Sequence, residues 1–435
     1  MSPQTNRLRA GVHMEGGWGT SIAIAFAAAV LTATALPGQQ QKNIPIRQTR
    51  ILASTDSGVI SNVYVVRVMP DGRPMVNDAN KRRLLLIDTS MKTFKIIADT
   101  AGEAKNNFGN NLGGLLFYPS DSVAWVDRAS QSLTIVDRDG NFGRTFSPPK
   151  ASDMIYFQYS SAANYGLPGF DAKGRLYYRA GLPRSPAVFD PNTTDSVFIG
   201  PDSAPLVRAD LESRRVDTIA YLKVPIDMSK RVTSEGGFSV YGMMNPMPSM
   251  DDWAYLSDGT VAIVRAQDYH IDWIAADGSR HSTPKMPFDW RRVTPEEKMR
   301  MVDSLQHYRD SLSAASLERA RAANPGLRIA SPPAALVVPP KYLPDYYPPL
   351  PVGSQVRVDL DGNLWIMPST SIQAKDGLLY DVVNRNGEIV ERVQLPGGRN
   401  LHGFAPGGII YLSIPGNMNA KFGWARLEKA QVIRP

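Results

Sequence analysis

The fold class that this sequence predicts is all-β, a propeller of six four-stranded blades, and three observations predict it. First, short apolar strands alternate with tight turns in a unit that recurs: VMPDGRPMVND with RLLLIDTS near Pro70, FYPSDSVAWVD with SLTIVDRDGN near Ser120, YLSDGTVAIVR with HIDWIAADGS near Asp258, and VDLDGNLWIM with LLYDVVNRNGE near Asp361. Second, the turns carry Asp-Gly and Asn-Gly pairs, residues that accept positive φ at little cost and so suit tight antiparallel connections. Third, the first turns fall at Asp71, Asp121, Lys173, Asp258, Asp361 and Pro406, spaced 50 residues from Asp71 to Asp121 and 45 from Asp361 to Pro406. Four short strands repeated at that period mark a propeller, because a lone four-stranded sheet cannot bury both faces whereas radially packed sheets cover one another.

The elements follow in order. Residues 1–35 place Arg7 and Arg9 before an apolar run from Ser21 to Leu36, with small residues at Ala33-Thr34-Ala35. That is the pattern of a cleaved export signal; a retained anchor is the alternative, although the run falls short of the ~20 residues that a spanning helix needs. The propeller then occupies residues 46–435. The sixth unit shows only three strands of its own, Leu401 to Phe404, Ile409 to Ser413 and Phe422 to Leu427, so Arg47 to Ala53 is expected to add the fourth and close the ring. Two spacings exceed a plain blade, 85 residues from Lys173 to Asp258 and 103 from Asp258 to Asp361. The second holds residues 290–350, read as a helical and Pro-rich insertion between blades four and five. Thr294 as N-cap, Pro295 in the first turn and Glu297 three positions on form a capping box. Met301, Leu305, Tyr308, Leu312 and Ala315 form an apolar stripe, and the nine prolines of residues 325–351 suggest an extended strap over one face or a recognition segment.

With PDGRPMVNDANKRRLLLID, DSVAWVDRASQSLTIVDRDGNFGRTF, DDWAYLSDGTVAIVRAQDYHIDWIAADGSR and DLDGNLWIMPSTSIQAKDGLLYDVVNRNGEIVERVQLP in view, the chain resembles the exported bacterial six-bladed propellers of the NHL and TolB-like type over about residues 46 to 430. The resemblance implies the fold and leaves the chemistry open, since fold alone does not specify function.

Composition narrows the chemistry. The formal charge of +7, spread without a run of like charges, gives no basis for nucleic-acid binding. The absence of cysteine removes disulfides, thiol catalysis and Cys-ligated metal. No G-x-S-x-G elbow exists for a Ser-His-Asp hydrolase. His13, His270, His281, His307 and His402 show no spacing that suits a shared metal. Gluconolactonase-like propellers hold calcium on the tunnel axis, and Asn62, Asn77, Asp78, Asp127 and Asn245 would be the oxygen donors here, although such residues serve equally as turn caps.

The most suggestive surface is around the fourth blade, where Asp252, Trp253, Arg265, Asp268 and Tyr269 cluster, with Tyr178 and Arg179 at the corresponding strand of the third. Trp, Tyr and Arg anchor many binding hot spots, and aromatic residues between blades serve equally as core. The expectation is an exported, periplasmic or extracellular, non-enzymatic propeller without cofactor, binding a protein or envelope component at one face of the ring. It would meet a membrane only if the N-terminal segment is kept. The alternative is a calcium-dependent hydrolase or lyase at the tunnel mouth.

Overall fold

The computed structural model describes residues 44–434 except 79, 101–112, 128, 158–165, 182–196, 235–236, 325–335, 351–355, 375–376 and 416–424. The expected export segment and part of the Pro-rich stretch lie outside the described residues. The described residues form a β-propeller: sheets of short antiparallel strands, with a single long α-helix, Pro295–Ala323, among them.

Six sheets follow one another along the chain. The first contains Val63–Val68, Pro74–Asp78, Arg83–Ile87 and Phe94–Ala98; the second runs from Leu115–Tyr118 to Phe142–Phe146. The third pairs Gly169–Phe170, Leu176–Arg179, Ser203–Ala209 and Val216–Lys223, and the fourth runs from Asp252–Tyr255 to Arg280–Ser282. The fifth runs from Arg357–Val358 to Ile389–Leu395, and the sixth from Asn400–Ala405 to Arg426–Val432. In each, the first of these strands is an edge strand.

Turn chemistry explains why the chain reverses where it does. In DRDGN, DAKGR and DLDGN the leading Asp, at 137, 171 and 359, accepts the backbone N–H groups two and four residues on at 2.8–3.0 Å. The glycine three residues after each, at 140, 174 and 362, takes φ between 73° and 85°, a region that β-carbons disfavour. The turn is thus fixed by a carboxylate two residues before the Asp-Gly position in two of the three.

Packing runs in a closed circle. The second strands are buried on both sides, as in PMVND and LWI, because neighbouring sheets cover both faces. Met75, Leu84 and Trp125 join the first and second sheets; Val126, Leu176 and Tyr178 the second and third; Leu206, Trp253 and Ile263 the third and fourth. Trp273 and Ile366 join the fourth and fifth, Trp365 and Leu412 the fifth and sixth, and Val76, Tyr411 and Leu427 bring the sixth back to the first. The expected closing strand is present: Thr49–Ser54 pairs antiparallel with Arg426–Val432, and Ile46–Arg47 pairs parallel with the outer strand of the fifth sheet.

A seventh sheet, absent from the sequence reading, explains the 85-residue spacing. It joins Val197–Ile199, Met228–Ser234, Gly237–Met244 and Leu336–Val337, and its apolar cluster of Met228, Met247, Val293, Val338 and Leu343 is separate from the six inter-sheet cores. The helix carries the capping box as expected, Thr294 Oγ1 accepting from Glu297 N and Glu297 Oε2 from Thr294 N. Its stripe is less engaged than its periodicity suggests: no residue of the helix is buried, Tyr308 is 59% exposed, and Met301 packs against the seventh-sheet cluster. The chain leaves for the helix and returns side by side, Val293 N donating to Asp345 O and Tyr347 N to Arg291 O.

Candidate functional site

The seven residues singled out around the fourth blade do not form one accessible surface. Trp253 and Tyr178 are buried between sheets, and Tyr269, at a positive φ of 54°, is buried against Phe288. Tyr178 donates to Asp153 at 2.7 Å, and burial followed by that carboxylate pushes its phenol far above the usual range. Alternation along a twisted blade turns the rings of Trp253 and Tyr178 into the inter-sheet cores, and Tyr269 is folded inward by the turn it stands in, so none presents a face to a ligand. Arg179 is half-buried at its strand end.

Arg265 braces a different pair from the one its neighbours in sequence suggest. Its Nη1 meets Asp251 Oδ2 at 2.7 Å and the Tyr221 carbonyl at 2.9 Å, and its Nε meets Asp272 Oδ2 at 2.7 Å. Asp268 instead bonds His270 Nδ1 at 2.6 Å, and His270 Nε2 lies 3.1 Å from Asp272. Asp252 turns inward, accepting from Val356 N and Trp253 N at 2.8 Å, and burial outweighs these donors and Arg357 to push its carboxyl up to about 7.

A cavity of about 850 Å³, which no motif in the sequence announces, is lined by the first strands of all six consecutive sheets. Arg67, Phe117, Phe170, Tyr255, Arg357 and His402 are its wall, one from each. The turns around Pro70, Asp121, Ala172, Ser257, Asp361 and Pro406 line the same cavity, so the first-to-second-strand turns gather at one end.

Polar and aromatic groups divide the wall. Arg357, His402 and Arg67 come from the fifth, sixth and first sheets, which are consecutive around the circle. Arg357 Nη1 donates to the His402 carbonyl at 2.9 Å, and His402 Nε2 is 2.7 Å from Ser413 Oγ. Burial first, then the fields of Arg357 and Arg67, hold the His402 imidazole well below its ordinary range, so it is neutral at pH 7. Arg67 lies over the Phe117 ring at 5.2 Å. Across the wall, Phe170 meets Tyr118 edge-on at 4.9 Å and Tyr255 stacks on Tyr177 at 6.0 Å. Burial pushes the Tyr255 phenol up to about 12 against the opposing pull of Arg67. A side chain at Gly169 would run into the Tyr255 hydroxyl.

Two wall carboxylates are committed to their own turns: Asp171 to Arg175 and the Tyr177 hydroxyl, and Asp359 to its loop and Trp365 Nε1. A weak signal was available for this site. Arg67, Phe117, Arg357 and His402 each stand four residues before their blade's first turn, with Gly169 and Ala254 at the same position in the third and fourth.

Most of the oxygen donors considered for calcium are spent on local caps and pairs. Asp78 accepts from Ser61 N and Asn62 N and pairs with Arg83 at 3.0 Å, Asp127 caps Ala129 and Ser130, and Asn245 caps Met247. Asn77 donates to Gly113 O, and its buried Oδ1 has no donor among the described residues, one oxygen against the roughly six to eight that calcium takes. Among the described residues, no group of three or more His, Asp or Glu side chains is placed to hold a metal.

No protein-family model matches the chain, and no curated protein matches it. Among solved structures, it is similar to a member of the DUF4221 family from Bacteroides vulgatus, with TM-score 0.46 and 10% identity, covering 89% of this chain and 99% of that one. It is also similar to a virginiamycin B lyase from Staphylococcus aureus, with TM-score 0.38 and 10% identity over 89% of this chain and 100% of that one. A PQQ-bound aldose sugar dehydrogenase from Streptomyces coelicolor aligns with TM-score 0.40 and 12% identity over 88% and 98%.

Proposed function

We propose that the chain is an exported six-bladed β-propeller of the NHL and TolB-like type, whose six consecutive sheets are the blades. The seventh sheet and the helix with its Pro-rich return are insertions, the latter between blades four and five. The protein binds and does not catalyse: a protein or envelope component docks at the face where the first turns gather and reaches into the central cavity. One observation carries this reading, a cavity to which the first strands of all six sheets contribute. Converging loops on a rigid ring make a binding face at low entropic cost. No helix among the described residues is long and apolar enough to cross a membrane, and export rests on the sequence of residues 1–35.

Site-specific photocrosslinking tests the face. A photoreactive residue at Leu360, 64% exposed on the fifth blade's first turn, is expected to capture a defined component of the cell envelope. The same group at Tyr221, 61% exposed on the fourth strand of the third blade, is expected to capture nothing comparable. Equal capture from both positions would refute a face-specific binder.

A further inference from the structure

Sulfur gathers at the seventh sheet. With no Cys in the chain, Met is its only sulfur, and eight of the 16 Met fall within residues 228–301, four of them in the run MMNPMPSM from Met243 to Met250. Four of the eight come together from separate parts of the chain. Met228 and Met243 are direct partners across the antiparallel pair Met228–Ser234 and Gly237–Met244, so their side chains share one face of that sheet with β-carbons ~5 Å apart. Asn245 Oδ1 accepts from Met247 N at 2.9 Å, in the bend that brings Met247 back onto the cluster. Met301 comes from the helix and packs on the same cluster. Met228 and Met247 are buried, whereas Met244, one residue along the strand from Met243 and so on the opposite face, is 38% exposed.

We propose that Met228, Met243, Met247 and Met301 form a thioether site for a soft monovalent cation of the Cu(I) type. A core needs volume, which Leu, Ile and Val supply with better-defined shapes than Met. What Met adds is a polarizable sulfur, the ligand that selects Cu(I) among the metals of biology. Calcium takes oxygen, and zinc takes thiolate, imidazole or carboxylate, so a set of thioethers separates Cu(I) from both. The cluster also has an approach from solvent. A groove of about 590 Å³ runs between the first half of the helix and Pro246, and Met301 and Tyr347, which both pack on the cluster, lie in its wall. The site is remote in chemistry from the central cavity and does not depend on the binding reading above.

The test is titration of the full chain with Cu(I), kept reduced without oxygen and competed against a coloured Cu(I) chelator, and with Ag(I), which has the same closed shell and no redox chemistry. One ion per chain is expected to bind with a Kd of about 10 μM or tighter, and Zn(II) at least about tenfold more weakly. Bound Ag(I) is expected to raise the melting temperature, because it binds the folded state alone. Met243→Leu and Met301→Leu nearly conserve volume and so keep the fold, and each is expected to weaken the ion by about tenfold or more. Met244→Leu, on the opposite face of the same strand, is expected to leave binding unchanged. Weaker binding of both ions by the parent, Zn(II) bound as tightly as Cu(I), or Met243→Leu and Met301→Leu chains that bind as well as the parent would each overturn the proposal. An equal loss in Met244→Leu would do so too, by placing the ion outside the cluster. These probes need no envelope partner, so the metal site can fail while Leu360 still crosslinks, and the reverse.

Discussion

Arg265 and Asp252 illustrate what individual residues contribute to this ring. Asp251 is buried, and its Oδ2 is neutralised by Arg265 at 2.7 Å while also accepting from Lys223 N. Arg265→Ala removes the cation and leaves that carboxylate uncompensated, so stability is expected to fall by about 1–3 kcal/mol, read by denaturant unfolding. An unchanged midpoint would show that the pair is solvent-screened. Asp252 gives the opposite kind of signature. Its folded pKa is raised to about 7 by burial from 3.8, so the folded state holds the proton more tightly. The stability it contributes is complete below about pH 4 and is lost as pH rises through 7, amounting to roughly a few kcal/mol at ~1.4 per pK unit. His402 runs the other way: its lowered pKa gives stability that is present above about pH 6.5 and lost as pH falls. Melting followed from pH 4 to 9 is expected to show both limbs, Asp252→Asn flattening the alkaline one and His402→Gln the acid one. A pH profile identical in both variants would refute the assignment. Metal is checked on the same melts: with Asp78, Asp127 and Asn245 spent on caps and pairs, chelator is expected to leave the melting temperature unchanged. A clear rise with calcium would restore the metal alternative. Residue identity alone could not separate these cases in the sequence. Trp253, Tyr178 and Tyr269 are the residue types of a hot spot and also the types that fill gaps between blades, and what decides is the pleat of the strand for the first two and the turn geometry for Tyr269.

At the scale of elements, legibility followed local chemistry. The capping box at Thr294 and the Asp-led turns were readable because a few adjacent residues determine them. The seventh sheet was not, because its strands come from residues 197–244 and 336–337, pairings that no local pattern announces. The helix stripe was readable as a period but not as a contact, since periodicity does not say whether a partner exists to cover it. The helix and its return begin and end side by side, with Val293 N bonded to Asp345 O at 2.8 Å. Replacing Pro295–Leu343 with a short Gly-Ser linker should therefore close without strain. The change removes Val338 and Leu343 from the cluster around Met228 and leaves the six inter-sheet cores whole. The far-UV β signal is expected to persist, with a single transition lowered by less than ~10 °C, each kcal/mol being worth roughly 2–4 °C. Loss of the β signal would show that the segment is integral to the ring.

The whole molecule depends on how the circle is closed, and here the two ends of the chain meet. The sixth sheet takes its outer strand from Thr49–Ser54, which pairs with Arg426–Val432, and the bond pair between Thr55 and Leu427 continues the ladder. Ile46–Arg47 reaches one sheet further, pairing with Ile389–Leu395, and Arg47 Nε holds Glu391 at 3.1 Å. The segment thus ties the fifth and sixth sheets together, while Val76, Tyr411 and Leu427 bind the sixth to the first. This closure was legible because the last repeat visibly lacked a strand and a β-rich segment stood ready at the other end. A chain starting at Asn62 would lose both strands and expose the ladder edge of Arg426–Val432, inviting edge-to-edge association. Such a chain is expected to melt at least ~10 °C below one starting at Gln39, or to sediment as aggregates. The difference should also appear in hydrogen exchange, with protection lost first in Ile409–Ile414 and Arg426–Val432 and retained in the second and third sheets. Equal melting temperatures and equal exchange in the sixth sheet would mean that the inter-sheet cores alone close the ring, and the terminal strands would then be ornament on a circle already complete.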